Sequence, residues 1–251
     1  MAVAIELRDL SVSFPSRAPG GAVAALQQVS LRVEAGTVYG FLGPNGAGKT
    51  TAMHVLLGFI PASAGAAYLF GTDVRQSIAR QRIGYLSEHP EIYPYLTGRE
   101  LLLLMGRLFG LGGRALRDRA AELLQHIGLR HAADRRLGTY SRGMLQRIGL
   151  AQALINDPDL VILDEPTSGL DPLGRLDIRR IIGGLRARGK TVFFSSHELS
   201  EVERVCDHLA ILAGGRVVAE GAADRLATPG ESLEQYFLRV VNANTSREES
   251  P

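Results

Sequence analysis

The chain has 251 residues, 45% apolar and 22% charged, which suits one large folded domain or two small ones and excludes a disordered chain. Its single cysteine, Cys206, excludes an internal disulfide and a CxxC metal site, and a formal charge of +2 is too small to argue for nucleic acid. The most apolar stretch, residues 101–105, stops at Gly106 and Arg107, far short of a membrane span, and the first ten residues lack the pattern of a secretory leader.

In chain order, Ile5, Leu7, Leu10, Val12 and Phe14 alternate with polar residues, and so do Val29, Leu31 and Val33. This predicts two half-buried antiparallel strands, joined by a Pro/Gly-rich loop over residues 15–21. Residues 38–42 form a short apolar run before a glycine-rich loop, and a helical pattern follows Lys49. Leu116, Ala120, Leu123, Leu124 and Ile127 predict a helix closed by Gly128. Met144, Ile148, Ala151 and Ile155 predict another, begun by Ser141. Residues 160–163 are continuously apolar, as a parallel strand covered on both faces requires. Asp171-Pro172 opens a helix carrying Ile178, Ile181, Ile182 and Leu185, with Gly189 past its end. A buried strand follows at 191–196, and Gly214-Gly215 reads as a hairpin turn between 211–212 and 216–219. A short amphipathic stretch from Leu233 to Val240 precedes a polar tail, 242–251, expected to fray. Strands alternating with helices predict an α/β core with a parallel sheet, into which the helix-rich block 88–158 is inserted.

Gly43, Pro44, Asn45, Gly46, Ala47, Gly48, Lys49 and Thr50 match G-x-x-x-x-G-K-S/T without mismatch, between a predicted strand and a predicted helix. Glycines let successive backbone N–H groups converge on phosphate oxygens, and the helix start adds positive charge. Lys49 brings a compact ammonium to the outer phosphates, and Thr50 brings a hydroxyl to Mg²⁺. Only Lys49 and Lys190 are lysines among 28 basic residues, and arginine's flat fork would fit such a loop poorly. A plain glycine-rich turn is the alternative, and the strand–helix context weighs against it.

The strand at 160–163 ends in Asp164 and Glu165. Asp164 is placed to hold Mg²⁺ through water, and Glu165 to take a proton from water attacking a γ-phosphate. A strand-end turn is the bland reading of Asp-Glu-Pro.

In these motifs the sequence resembles the ATPase subunits of ATP-binding cassette (ABC) transporters over about residues 5–225. The resemblance rests on the order of Gly43 to Thr51, Tyr140-Ser141-Arg142-Gly143-Met144-Leu145-Gln146-Arg147, residues 160–166, Ser168-Gly169-Leu170-Asp171-Pro172 and Ser195-Ser196-His197. It implies a P-loop NTPase, RecA-like core with an inserted helical subdomain and a small N-terminal antiparallel β subdomain. It also implies a cassette over 1–225 and an amphipathic extension with a polar tail over 226–251. ATP and Mg²⁺ would be the cofactors, and two subunits would sandwich two ATP molecules. Ser141 and Gly143 would then cap the γ-phosphate bound to the opposite subunit, and Asp171 would signal between sites. His197 would contact the γ-phosphate, and Phe14 would stack on adenine, although both positions have plain structural readings. Integral membrane permease subunits would complete a transporter, placing the chain at the cytoplasmic face of the membrane.

Two positions depart from the family pattern. The signature Ser-Gly-Gly-Gln is here Ser141-Arg142-Gly143-Met144, a form similar to that of cassettes serving export-type or multidrug permeases. Where the family has glutamine after residues 83–86, this chain has Glu88, which would offer Mg²⁺ a third carboxylate beside Asp164 and Glu165. Glu88 as a solvated loop residue, with Ser87 or His89 in the critical place, is the alternative. Residues 107–147 hold nine arginines against Asp118, Glu122 and Asp134, either a solvated face or one turned to anionic lipid or an acidic permease loop. Tyr93 and Tyr95, beside Pro94, suit an interface. An ATPase subunit of an exporter is thus expected, against a soluble cassette ATPase, a nucleotide-sensing scaffold without turnover, or a phosphoryl-transfer kinase.

Overall fold

The structure is a computed structural model that describes residues 2–15, 21–227 and 230–248, so the centre of the expected loop at 15–21 and the last residues of the expected tail lie outside the described residues. In chain order the elements are β1 (Val3–Pro15), β2 (Ala22–Glu34), β3 (Val38–Leu42), α1 (Lys49–Leu56), β4 (Ala64–Leu69), β5 (Thr72–Asp73) and β6 (Ile83–Leu86). They continue with α2 (Gly98–Leu108), α3 (Gly113–His126), α4 (Arg142–Ala153), β7 (Leu160–Leu163), α5 (Pro172–Ala187) and β8 (Thr191–Ser196). The last are α6 (Leu199–Val205), β9 (His208–Ala213), β10 (Arg216–Ala222) and α7 (Leu233–Glu248). The chain divides into two compact units, Met1–Gln81 with Phe193–Pro251, and Arg82–Val192.

In the first unit, an antiparallel sheet runs in the order β2-β1-β4-β5. Leu7 pairs with Leu31 and Ile5 with Val33, so the alternating apolar residues share one buried face. The alternation stumbles at Asp9 and Gln28, both in left-handed backbone where the register shifts. β4 pairs with the other side of β1, Ile5 opposite Leu69, and its small residues gave no alternating signal. The parallel part of this unit pairs β3 with β9, and β10 returns antiparallel to β9 through Gly214-Gly215, as the sequence predicts. Every residue of β3 is buried, and Phe41 packs on Phe193 with ring centroids 5.4 Å apart. The tail differs from expectation: α7 stays helical through Glu248, although the sequence predicts fraying from Asn242. Asn244 Nδ2 donates to the carbonyl of Ala213 on β9 at 3.4 Å, and this docking offsets weak helix formers such as Asn242.

In the second unit, β6 and β7 pair in parallel from Ile83–Leu160 to Leu86–Leu163, and all of β7 is buried. The helices bury the stripes their spacing predicts: Leu116, Ala120, Leu123 and Leu124 on α3, and Ile178, Ile181, Ile182 and Leu185 on α5. α2 starts with a capping box, in which Thr97 Oγ1 accepts the Glu100 N–H and Glu100 Oε2 accepts the Thr97 N–H. It buries Leu101 and Leu102 and leaves Leu104 and Leu108 exposed. An α/β chain with an antiparallel β part and a helical part is therefore what the structure contains, in agreement with the expected fold class.

Candidate nucleotide site

The first unit carries the phosphate loop, His197 and Phe14. β3 ends at Leu42, and the loop turns directly into α1. Gly48 has φ +104°, and a Cβ there would lie 2.5 Å from the carbonyl oxygen of Ala25, so only glycine fits. Lys49, the first residue of α1, is 6% exposed. Its Nζ donates to the carbonyls of Gly43 at 2.6 Å and Pro44 at 3.3 Å. The ammonium is thereby folded back over the loop that precedes it. Pro44, Asn45, Gly46 and Thr50 are exposed, while Ala47 is buried and Thr51 half-buried. No acidic side chain occupies the first turn of α1. A helix start beside a buried ammonium is an arrangement suited to an anion.

The Gly43 N–H donates to the Ser196 carbonyl at 3.3 Å, so the first glycine of the loop is bonded to the residue before His197. β8 is buried throughout, and exposure begins at His197. The Ser196 hydroxyl accepts the Glu198 N–H at 2.9 Å, fixing the turn in which His197 sits. Phe14, which an alternating strand would place in a core, is instead 41% exposed near the end of β1, opposite Val23. Its free ring face is compatible with a stacking partner.

The second unit carries the acidic pair, Glu88 and the signature. Asp164 and Glu165 follow β7 and are 3% and 7% exposed. The Asp164 N–H donates to the Leu86 carbonyl at 2.8 Å, extending the β6–β7 ladder into the site. Burial, aided by the negative charge of Asp164, pushes the Tyr85 phenol up to about 12. Glu165 adopts φ +46°, a left-handed conformation that costs a non-glycine residue about 1 kcal/mol or more. Glu88 is half-exposed rather than fully solvated, and its Oε1 accepts the Ser168 hydroxyl at 3.3 Å. Ser87 turns its hydroxyl to the His89 carbonyl at 3.1 Å.

Ser141 caps α4 as expected, its Oγ accepting the Met144 N–H at 3.3 Å. Asp171 caps α5, its Oδ1 accepting the Gly174 N–H at 2.8 Å, with Pro172 in the first helical position. Gly143 gives its carbonyl to Arg147 Nε at 3.2 Å, and Arg147 Nη1 also lies 3.4 Å from Asp177 on α5. Ser168 and Arg147 are the contacts that sequence reasoning missed. Both lie inside recognised motifs, but their partners are distant in the chain.

Among the described residues, no group of three or more His, Cys, Asp or Glu side chains could hold a metal ion. The expected set of three carboxylates, Glu88 beside Asp164 and Glu165, is therefore not assembled as a metal-holding group; Mg²⁺ ordinarily takes only one or two carboxylates and completes its shell with phosphate oxygens and water. Hard oxygen donors of that kind are carried by Thr50 in the first unit and by Asp164 and Glu88 in the second. Among the described residues no helix is long and apolar enough to cross a membrane.

The sequence profile of the family described as ABC transporter matches residues 26–168. An ABC transporter ATP-binding protein of Nostoc sp. is 52% identical over 81% of this chain and 62% of its own length. The Nod factor export ATP-binding protein I of Burkholderia lata is 44% identical over 79% of this chain and 66% of its own length. The chain thus spans a little over three fifths of these curated relatives. Among solved structures, an ATP-binding subunit of an ABC transporter is similar with a TM-score of 0.84 and 29% identity, over 94% of this chain and 99% of that one. With the profile covering more than half of its residues and with relatives this close, the chain belongs to the ABC transporter family, among its ATP-binding cassettes.

Proposed function

We propose that this chain binds Mg²⁺ and ATP and hydrolyses ATP as the motor subunit of an exporting ABC transporter, at the cytoplasmic face of the membrane. It pairs with a second cassette and with integral membrane subunits. The observation that carries the reading is the phosphate loop, where the buried Lys49 ammonium sits 2.6 Å from the Gly43 carbonyl at an anion-ready helix start. The loop's N–H groups bind the phosphates, Lys49 neutralises their outer charge, and Phe14 stacks on the base. Thr50 would offer Mg²⁺ its hydroxyl, and Asp164 would hold the ion through water with Glu88 in support. When bound, the metal stabilises charge on the phosphoryl oxygens. Glu165 accepts the proton of the attacking water, and His197 steadies the γ-phosphate. Ser141 and Gly143 cap the γ-phosphate of the second cassette's nucleotide, and Asp171 signals between the two sites.

Export is supported by the Ser141-Arg142-Gly143-Met144 signature and by likeness to the Nod factor export protein. Membrane partners are supported by the apolar surface of the second unit, where Tyr93, Tyr95, Leu108 and Phe109 are 48%, 63%, 73% and 50% exposed. In this reading residues 1–225 form the cassette, with 88–158 inserted, and 226–251 an extension. The test is affinity purification from membranes, followed by identification of the integral partner and an ATPase assay of the complex. Recovery without any integral protein, or a complex without hydrolysis, would overturn the reading.

A further inference from the structure

Arg142, from the altered signature, and Glu88 meet adjacent residues of one loop. Ser168 Oγ donates to Glu88 Oε1 at 3.3 Å. At Gly169, whose φ is +65°, an added Cβ would lie 2.3 Å from Arg142 Cζ and 2.4 and 2.6 Å from its two terminal nitrogens. Near-equal distances to these three atoms mean that the flat face of the guanidinium, not an edge, covers the Gly169 Cα. Among the described residues the Arg142 side chain makes no ion pair or hydrogen bond, and its guanidinium lies against Gly169. A cation in the first position of α4 is also disfavoured by the helix dipole, so helix stability does not explain it. The loop itself is tightly turned: the Ser168 N–H donates to the Glu165 carbonyl at 3.0 Å, and the Leu170 N–H to the Thr167 carbonyl at 3.2 Å.

We propose that Arg142 and Glu88 are matched positioning residues, which clamp Ser168 and Gly169 and through the Ser168 N–H hold the strained backbone of Glu165. The inference rests on the ATPase reading for its kinetic consequence only. Arg142 acts by its planar face, so lysine, a rod with a point charge, does not replace it. Glu88 acts by an acceptor oxygen, and the serine hydroxyl is its handle.

The test compares Arg142→Gly, Arg142→Lys, Ser168→Ala and the Arg142→Gly/Ser168→Ala double variant with wild type. kcat and KM for ATP are read in the complex with the membrane subunits, and amide hydrogen exchange at Ser168 in the isolated chain. Each single variant should lower kcat about three- to tenfold and change KM by less than about twofold, the scale of one lost contact. Because both contacts hold one loop, the double variant should lose little more than the worse single. The Ser168 amide should exchange faster in all of them, with thermal midpoints near wild type. Rescue by lysine, multiplicative losses or unchanged Ser168 exchange would overturn the clamp. If the wild-type complex does not hydrolyse ATP, the ATPase reading falls, and the exchange rates alone decide the clamp.

Discussion

Glu165 is buried and held in left-handed backbone at the end of a buried strand, so its carboxyl is placed by the fold rather than by its own rotamers. Glu165→Gln keeps that shape and removes the proton acceptor. Steady-state hydrolysis should fall by roughly a hundredfold or more, within the range of general-base effects. ATP should stay bound, and a nucleotide-trapped dimer should appear on size-exclusion chromatography; near wild-type turnover would remove Glu165 from the role of base. Glu88→Gln is a subtler probe. The amide retains an oxygen for the Ser168 hydroxyl but loses the charge that attracts a hard cation. ATP binding and some hydrolysis should persist, with more Mg²⁺ needed for half-maximal rate. Superimposable Mg²⁺ titrations would confine Glu88 to holding the loop. The residues of the phosphate loop were legible because their spacing is local. The contacts of Ser168 with Glu88 and of Arg147 with Asp177 were not, because those partners are fixed by how the elements of the second unit pack, which no local pattern encodes.

At the scale of elements, caps and stripes were the readable features. Ser141 and Asp171 each announced a helix start, and each accepts the N–H three residues on. Asp171→Ala should lower stability by about 1 kcal/mol, the usual worth of such a cap, seen as a shifted denaturation midpoint with unchanged slope. An effect near zero would mean that packing of Ile178, Ile181, Ile182 and Leu185 alone holds α5. Other elements were less legible. β4 reads Ala-Gly-Ala-Ala-Tyr-Leu, without the β-branched alternation of a strand, and exists because β1 offers it an edge. The polar end of α7 is helical because it docks on β9 through Asn244, a tertiary reason invisible in residues 242–248 alone.

For the molecule as a whole, two measurements bear on partners and stability. Tyr93 and Tyr95 lie with ring centroids 5.9 Å apart and are both exposed, so the fold does not need them. Changing both to alanine should cut recovery of the membrane partner several-fold, on the scale of interface aromatics, while ATP affinity stays unchanged. Equal loss of ATP binding would assign them to the fold. Stability should also fall in alkali. Burial holds the acids Tyr39, Tyr85, Tyr140 and Cys206 above their ordinary values, so the folded chain keeps protons that the unfolded chain releases. This stabilisation is complete below about pH 8 and should be lost as pH rises through about 9 to 12, with Tyr85 contributing until about 12. Denaturant midpoints at pH 8 and 11 would reveal it. Tyr85→Phe should flatten the upper part of that fall, and an unchanged profile would mean that Tyr85 ionises freely in the folded chain.

The lysines have a practical consequence. With only Lys49 and Lys190 in the chain, amine-directed reagents have two side-chain targets. Both are sheltered: Lys49 donates to two loop carbonyls, and the Lys190 ammonium lies 3.2 Å from Asp157 and 3.7 Å from Asp159. Acylation mapped by mass spectrometry would therefore report the phosphate loop on one peptide and serve as its own internal reference on the other. A ligand that shields the first lysine and not the second would register as a change in the ratio of two masses, with no label added to the protein.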